Sequence, residues 1–396
     1  MNFLVIHEVS YLNKPVYEYQ DFAERLAALG HEVTVFDFDE QTYSTVLTTK
    51  SVSKTSLAKI NLISIPHIPI PFIGVLWARY RFEEQFKQLL KAYSFDAILL
   101  YSVFVNGTNT IDLAKQFGVP VIYRLLDAYH RLRKNPLQSW ILRSGEKKIY
   151  RKATALLATN LRMQRYVKEL VGPNHAPCTI LDHGVDTEHF LALPPNQDLL
   201  RALGIPENAI IGVFLGTTYS FSQLESLITQ MEAIRVKVPH FVLLIVGAGP
   251  SDAAIQEAIV ANHAQHCVFT CGMIDYAHLP AYLSLAAIAL CPFMINEITR
   301  EIIPIKILQY LASGLPVIST PLPDVMRHFP QSVSGVIYSK DDGLDCFIDT
   351  LVHVLHDPAL KELGIKGRLY VSEHYSIQAT MTQLESILMN PSLVLS

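Results

Sequence analysis

The chain has 396 residues, half of them apolar and 17% charged, with a formal charge of −4. That length and apolar content suit two domains, each with its own core, and exclude a disordered chain. The five cysteines (Cys178, Cys267, Cys271, Cys291, Cys346) make no paired spacing that would hold zinc or a disulfide framework. They read as reduced thiols of a cytoplasmic protein.

The N-terminus enters a strand at once, Phe3 to Ile6, without the basic stretch of a secretory leader, and none is expected. Asp21 to Leu29 reads as a helix ended by Gly30, and Glu32 to Phe38 as a second strand. The most apolar stretch, Leu62 to Ala78, is interrupted by Pro66, His67, Pro69 and Pro71, and is too short to span a bilayer. Tyr80 to Leu90 puts Phe82, Phe86 and Leu90 on one helical face. Ala97 to Tyr101 is a strand, Thr110 to Phe117 a helix closed by Gly118, and Val119 to Tyr123 another strand. Continuous apolar strands separated by helices predict a parallel sheet buried on both faces.

Gly184-Val-Asp186 and Pro194-Pro195 mark a turn-rich linker, after which the pattern restarts. Strands are predicted at Ile210 to Leu215, Phe241 to Val246, Val268 to Thr270, Ile288 to Leu290 and Val317 to Ser319, with a helix over Leu224 to Val236. The expected organisation is an N-terminal domain over 1–185, a second over 186–375, and a C-terminal helix over 376–396 packing back across the junction. Two doubly wound units place a ligand cleft at the carboxyl ends of their strands.

Charge is uneven. Residues 50–170 hold 20 Lys and Arg against 7 Asp and Glu, a local excess of 13 positive charges. A basic first half points to an anionic partner, either a lipid surface, a lipid pyrophosphate or a nucleic acid; the plain alternative is a solvated face. Ile65 to Trp77, followed by Arg79 and Arg81, sets apolar residues beside cations, as an interfacial contact with a lipid-linked acceptor would need, or as a loop packed on its own domain.

One segment carries a phosphate-binding chemistry. In Glu301-Ile-Ile-Pro-Ile-Lys306, Pro304 suits a first helical turn, Lys306 to Ser313 reads as helix, and Gly314 ends it. A helix N-terminus offers free N–H groups and partial positive charge to a diphosphate, and Lys306 adds a full charge. Glu301 can accept hydrogen bonds from sugar hydroxyls, and Gln309 can reach ribose. The plain reading makes Lys306 and Gln309 ordinary surface residues. In the first half of the chain, past the strand Val119 to Tyr123, Asp127 can orient or deprotonate a hydroxyl, or else cap the next helix; His130 is a second candidate base.

Four segments together resemble the GT4-type, group 1 glycosyltransferases. They are Phe3 to Ile6 with Ala27 to Val35, Asp182 to Phe190, Leu243 to Pro250, and Glu301 to Ser319. The resemblance implies a GT-B fold of class α/β: two Rossmann-like doubly wound parallel-sheet domains facing each other across a cleft. It implies transfer of a hexose from a nucleotide-diphosphate sugar to an acceptor hydroxyl, with retention and without metal or other cofactor, in glycan, glycolipid or polysaccharide synthesis. It assigns the donor to Gly216, Thr217, Thr218, Gly247, Gly272, Met273, Ile274, Arg300, Ile303, Pro304, Lys306 and Gln309, and the chemistry to Asp127, His130 and Glu301. The implied partners are the nucleotide sugar, a sugar or lipid-linked acceptor, and an anionic membrane met by the basic N-terminal domain, with no nucleic acid. The expected location is the cytoplasm or the inner face of its membrane.

Three departures support an alternative, a catalytically degenerate relative that binds nucleotide sugar or serves as a partner subunit. Gln309 stands where the family usually has Glu. Leu215 to Phe221 lacks the family's basic pair and offers Gly216, Thr217, Thr218 and Ser220. The loop after the first strand, Glu8 to Pro15, has no glycine. Two further motifs are set aside. Asp37-Phe-Asp39 matches a metal signature of another glycosyltransferase fold but ends a strand of a doubly wound domain. Gly247-Ala-Gly249 lacks the third glycine of a dinucleotide fingerprint.

Overall fold

The computed structural model describes residues 1–13, 16–39, 48–66, 73–103, 106–133 and 135–395. The chain divides into two compact units, residues 1–183 with 379–396 and residues 184–378. Each is built on one mostly parallel sheet.

In the first unit the strands are β1 (Asn2–Ile6), β2 (Glu32–Asp39), β3 (Thr48–Val52), β4 (Ile60–Pro66), β5 (Ala97–Leu100), β6 (Val121–Leu125), β7 (Ala155–Ala158) and β8 (Cys178–Ile180). Among the described residues they form an eight-stranded sheet in the order β3-β4-β2-β1-β5-β6-β7-β8. The helices α1 (Glu18–Ala28), α2 (Ile73–Ala92), α3 (Gly107–Gln116), α4 (Pro136–Lys152) and α5 (Leu161–Val171) connect them. β1, β5, β6 and β7 are buried almost throughout, as parallel strands covered on both faces must be. The helical stripe on α2 does its expected work: Phe82 and Phe86 pack on Phe36 of β2, with ring centroids 5.2 and 6.4 Å away.

Two features depart from the sequence reading. β3 runs antiparallel at the sheet edge, and its polar Thr-Thr-Lys-Ser-Val hides it from a search for apolar runs. β6 begins after Pro120 and ends at Leu125, two residues later than expected, so Arg124 lies inside a buried strand. A charged residue reads as a strand end, and only its partners, described below, make it tolerable inside one.

The second unit runs α6 (Gln197–Ala202), β9 (Ile210–Leu215), α7 (Leu224–Thr229), α8 (Met231–Lys237), β10 (Phe241–Val246), α9 (Asp252–Ala261), β11 (Val268–Thr270), α10 (Leu279–Leu283) and β12 (Ile288–Cys291). It continues through α11 (Ile305–Ala312), β13 (Val317–Ser319), α12 (Pro323–His328), α13 (Gln331–Ser334), β14 (Val336–Tyr338), α14 (Leu344–Leu355), α15 (Leu360–His374) and the start of α16 (Ile377–Met389). The single helix expected over Leu224 to Val236 is broken at Gln230. The sheet order is β11-β10-β9-β12-β13-β14, all parallel. Strand order reverses between β9 and β12, which opens a crevice at their carboxyl ends. No helix among the described residues is long and apolar enough to cross a membrane.

Candidate functional site

Three glycines follow three adjacent strands of the second unit, β9, β10 and β11, and make a floor of backbone on the β9 side of that crevice. Gly216, Gly247 and Gly272 all have positive φ, at 114°, 137° and 65°. The Gly216 N–H donates to the Val246 carbonyl and the Gly247 N–H to the Gly272 carbonyl, each at 2.8 Å. A Cβ on Gly247 would lie 2.2 Å from the Gly216 carbonyl oxygen, closer than any side chain can approach. Backbone therefore meets backbone here.

Lys306 stands over this floor. It is the second residue of α11, and a methyl at Gly216 would lie 3.3 Å from its Cε and its Nζ. Its ammonium sits 3.7 Å from the ring centre of Phe214 and 4.7 Å from that of Phe293. Burial lowers its pKa to about 7, and no carboxylate among the described residues offsets the effect. A half-buried cation on two aromatic faces, beside a helix N-terminus, is suited to an anion.

The helix itself is anchored through its C-terminal half. The Tyr310 hydroxyl accepts the N–H of Leu215 at 2.6 Å, fixing α11 to the end of β9. Arg368 of α15 donates to the carbonyl of Ala312, the last residue of α11, and to those of Phe190 (2.8 Å) and Thr187 (3.0 Å). Neither residue was named from the sequence. Tyr310 looks like core, and the partners of Arg368 lie more than 50 residues away.

The other expected donor residues fall around Lys306 unevenly. Pro304 is the N-cap of α11 rather than a first-turn residue, and it leaves the first turn without a side-chain cap. Gln309, half-buried, lies one turn beyond Lys306 on the same face. Arg300 is exposed on a short turn, Thr299–Glu301, held by Asn296, whose Oδ1 accepts the N–H of Thr299 at 2.9 Å. Ile303 packs partly on the core, as does Ile274, while Met273 is exposed on the loop after β11. Thr217 packs its methyl near Gly249. Thr218 departs from expectation: it is fully buried and its hydroxyl donates to Asp252 Oδ1 at 2.5 Å, so it braces the loop instead of facing a ligand. The Glu301 side chain lies outside the described residues.

The first unit holds a separate polar cluster at the carboxyl ends of its strands. Arg124 forks onto Glu18, Nε to Oε1 and Nη2 to Oε2, both at 2.7 Å. Its Nη1 donates to the carbonyls of Leu181 (2.6 Å) and Ala158 (3.2 Å). His183 Nδ1 lies 2.7 Å from Glu18 Oε2. Burial alone would raise the Glu18 pKa, but Arg124 and His183 hold it well below the carboxylate range. Asp127 lies just past β6, and burial raises its pKa to about 6 against the opposing pull of His183. It does not cap the next short helix, Tyr129–Leu132, because Ala128 occupies that position. His7, after β1, stacks 4.3 Å from Tyr19 and 5.7 Å from Tyr101, and burial lowers its pKa to about 4.

His130 is committed elsewhere. Its Nδ1 lies 2.7 Å from Oε2 of the fully buried Glu146, and the Tyr166 hydroxyl donates to that same oxygen at 2.7 Å. That arrangement gives the buried Glu146 carboxylate two hydrogen-bond partners and engages Nδ1 of His130 within the first unit. Asp37 is likewise spent: its Oδ2 accepts the N–H of Tyr11 at 2.6 Å.

Comparison with known proteins agrees with both units. The family described as Glycosyltransferase Family 4 matches residues 19–189, and Glycosyl transferases group 1 matches residues 209–357. A GDP-mannose-dependent alpha-(1-6)-phosphatidylinositol monomannoside mannosyltransferase of Mycolicibacterium smegmatis is 24% identical over 57% of this chain and 60% of its own length. The chain thus spans well under the whole of that relative. Among solved structures, sucrose-phosphate synthase from Thermosynechococcus elongatus covers 98% of each chain at 18% identity with a TM-score of 0.77. The Anabaena protein HepE, in complex with UDP and glucose, covers 98% of this chain and 99% of its own at 14% identity with a TM-score of 0.72. At such identities the structural likeness is one of fold, and it is the GT-B fold. With the two family matches covering most of the sequence, the chain belongs to the GT4-type, group 1 glycosyltransferases.

Proposed function

We propose that this chain transfers a hexosyl group from a nucleotide-diphosphate sugar to an acceptor hydroxyl on a sugar or a lipid-linked sugar. The observation that carries the reading is Lys306, a cation without a carboxylate partner among the described residues, held over Phe214 and Phe293 beside the glycine floor. The diphosphate would lie against Lys306 and the N-terminus of α11, with the exposed Arg300 as a second cation. Gln309 would bond ribose, and the backbone near Gly272 to Ile274 would meet the base.

Retention follows if the leaving phosphate itself takes the acceptor proton on the same face of the sugar. The ammonium of Lys306 then stabilises the charge developing on that phosphate. Asp127, with its pKa near neutrality, would orient the acceptor hydroxyl. No metal enters this scheme. The similar proteins, one GDP-mannose-dependent and one solved with UDP and glucose, support a hexose donor on either base.

Thermal shifts with UDP, GDP, ADP, TDP and CMP, then with the matching nucleotide sugars, test this. A ligand at about 100 times its Kd adds about 2.7 kcal/mol of stability, which is readily seen. One diphosphate should shift the melting curve with chelator present, and its hexose ester should be hydrolysed slowly. No shift with any of them would overturn the proposal.

A further inference from the structure

The outward face of α4 is built the wrong way round for water. Its inward side is buried as expected, through Leu142, Gly145, Glu146, Ile149 and Tyr150. Its solvent side begins with Leu137 (62% exposed), Trp140 (68%) and Ile141 (40%), with Leu132 (50%) just ahead. Positions 137, 140 and 141 share one face at helical spacing. The face is held firmly, because Asn135 caps the helix by accepting the N–H groups of Leu137 and Gln138, and Pro136 starts it.

The exposed charge that this stretch of chain itself carries has one sign. From Tyr129 to Lys152 the only acid is Glu146, which is fully buried against His130 and Tyr166. Arg133, Arg143 and Arg151 are exposed and make no ion pair among the described residues. The other cations nearby are partly occupied. Arg131 lies over the Tyr166 ring and 3.9 Å from Glu169, while Lys148 and Lys152 reach Asp112 of α3.

We infer that this face docks on an anionic lipid bilayer, with Leu137, Trp140 and Ile141 in the interfacial layer and Arg133, Arg143 and Arg151 against the head groups. An exposed Trp with two aliphatic neighbours, beside three exposed arginines that make no ion pair among the described residues, matches the chemistry of a helix lying in an anionic interface. A protein partner fits less well, since the apolar core of a protein interface is poor in charge on both sides and needs a complementary surface. The outer face of one helix offers no groove, and a bilayer requires none. The inference does not depend on the donor chemistry, and its test uses no nucleotide.

The test is flotation of the intact chain with vesicles of phosphatidylcholine alone or mixed with phosphatidylglycerol, at low and high salt. Binding should require the anionic lipid and weaken with salt. Arg133→Gln, Arg143→Gln and Arg151→Gln together should weaken it by about a hundredfold, at roughly fivefold per charge. Leu137→Ser with Trp140→Ser should abolish it. These side chains are exposed, so unchanged melting curves would show that folding is intact. In a Trp77→Phe background, the remaining Trp140 should shift its emission to the blue and be quenched by brominated lipid. Three outcomes would each overturn the inference: no binding at low salt, binding indifferent to these variants, or a dimer in lipid-free solution that Trp140→Ser dissociates.

Discussion

Lys306 offers the most exacting test of the donor site. In the empty protein its pKa is lowered to about 7 by desolvation, and the neighbouring Cys291 thiol, raised to about 11, stays protonated through the neutral range. A diphosphate against the ammonium restores the charged form, so binding must draw in a proton wherever the lysine was neutral. From a pKa of about 7, about 0.9 of the lysine is neutral at pH 8 and about 0.1 at pH 6. Proton uptake should therefore rise from about 0.1 to about 0.9 between those pH values. Affinity should fall about tenfold over the same interval, since recharging the lysine at pH 8 costs about 1.4 kcal/mol. The assay is titration calorimetry with the preferred nucleotide sugar, whose esterified diphosphate does not titrate in this range, in two buffers of different ionisation enthalpy. Lys306→Met should abolish the uptake and lower affinity by about 10- to 150-fold, the worth of a charge-assisted hydrogen bond of about 1.5–3 kcal/mol. Equal affinity at both pH values with no uptake would refute the placement of the diphosphate on Lys306.

Other expectations follow from the same geometry. Gly247→Ala forces a Cβ toward the Gly216 carbonyl at a φ of 137°, and should cost about 2–4 kcal/mol in urea unfolding of the second unit while weakening donor binding. Glu18→Gln leaves Arg124 buried without its counter-charge and should cost about 3–5 kcal/mol at neutral pH. Because the Glu18 pKa is depressed, its stabilisation is present above the unfolded-state value of about 4.3 and is lost as pH falls below it. The variant's acid unfolding curve should accordingly be flatter than the parent's. Asp127→Asn should lower kcat by about 10² with donor Kd unchanged, and should remove a rise in activity centred near pH 6. An unchanged pH profile would take Asp127 out of the chemistry.

The parallel strands were legible because β1, β9 and β10 are unbroken apolar runs between helices and turn glycines, a pattern that depends on nearest neighbours alone. The features missed depend on distant partners. Arg124 sits inside β6 only because Glu18, 106 positions earlier, neutralises it, and no local pattern carries that information. β3 is held in part by Glu24 of α1, whose carboxylate accepts the Ser53 hydroxyl at 2.7 Å and the Thr55 N–H at 3.0 Å, so its polar sequence is stabilised from outside. The donor segment was legible in its chemistry, with Lys306 and Gln309 on one face, but not in its aim, which Tyr310 and Arg368 set. His130 shows the converse. Its spacing after β6 suggests a catalytic role, and its hydrogen bond to the buried Glu146, sixteen residues on, is not visible in any local pattern.

The glycine floor has a consequence for how such a protein can change. Gly216, Gly247 and Gly272 present no side chains, so this surface distinguishes little about a ligand beyond its ability to lie on bare backbone. Met273 and Arg300, by contrast, are exposed on loops, where replacement disturbs little packing. A lineage can thus exchange its rim, and with it the base or sugar it accepts, while leaving untouched a socket that no single substitution improves.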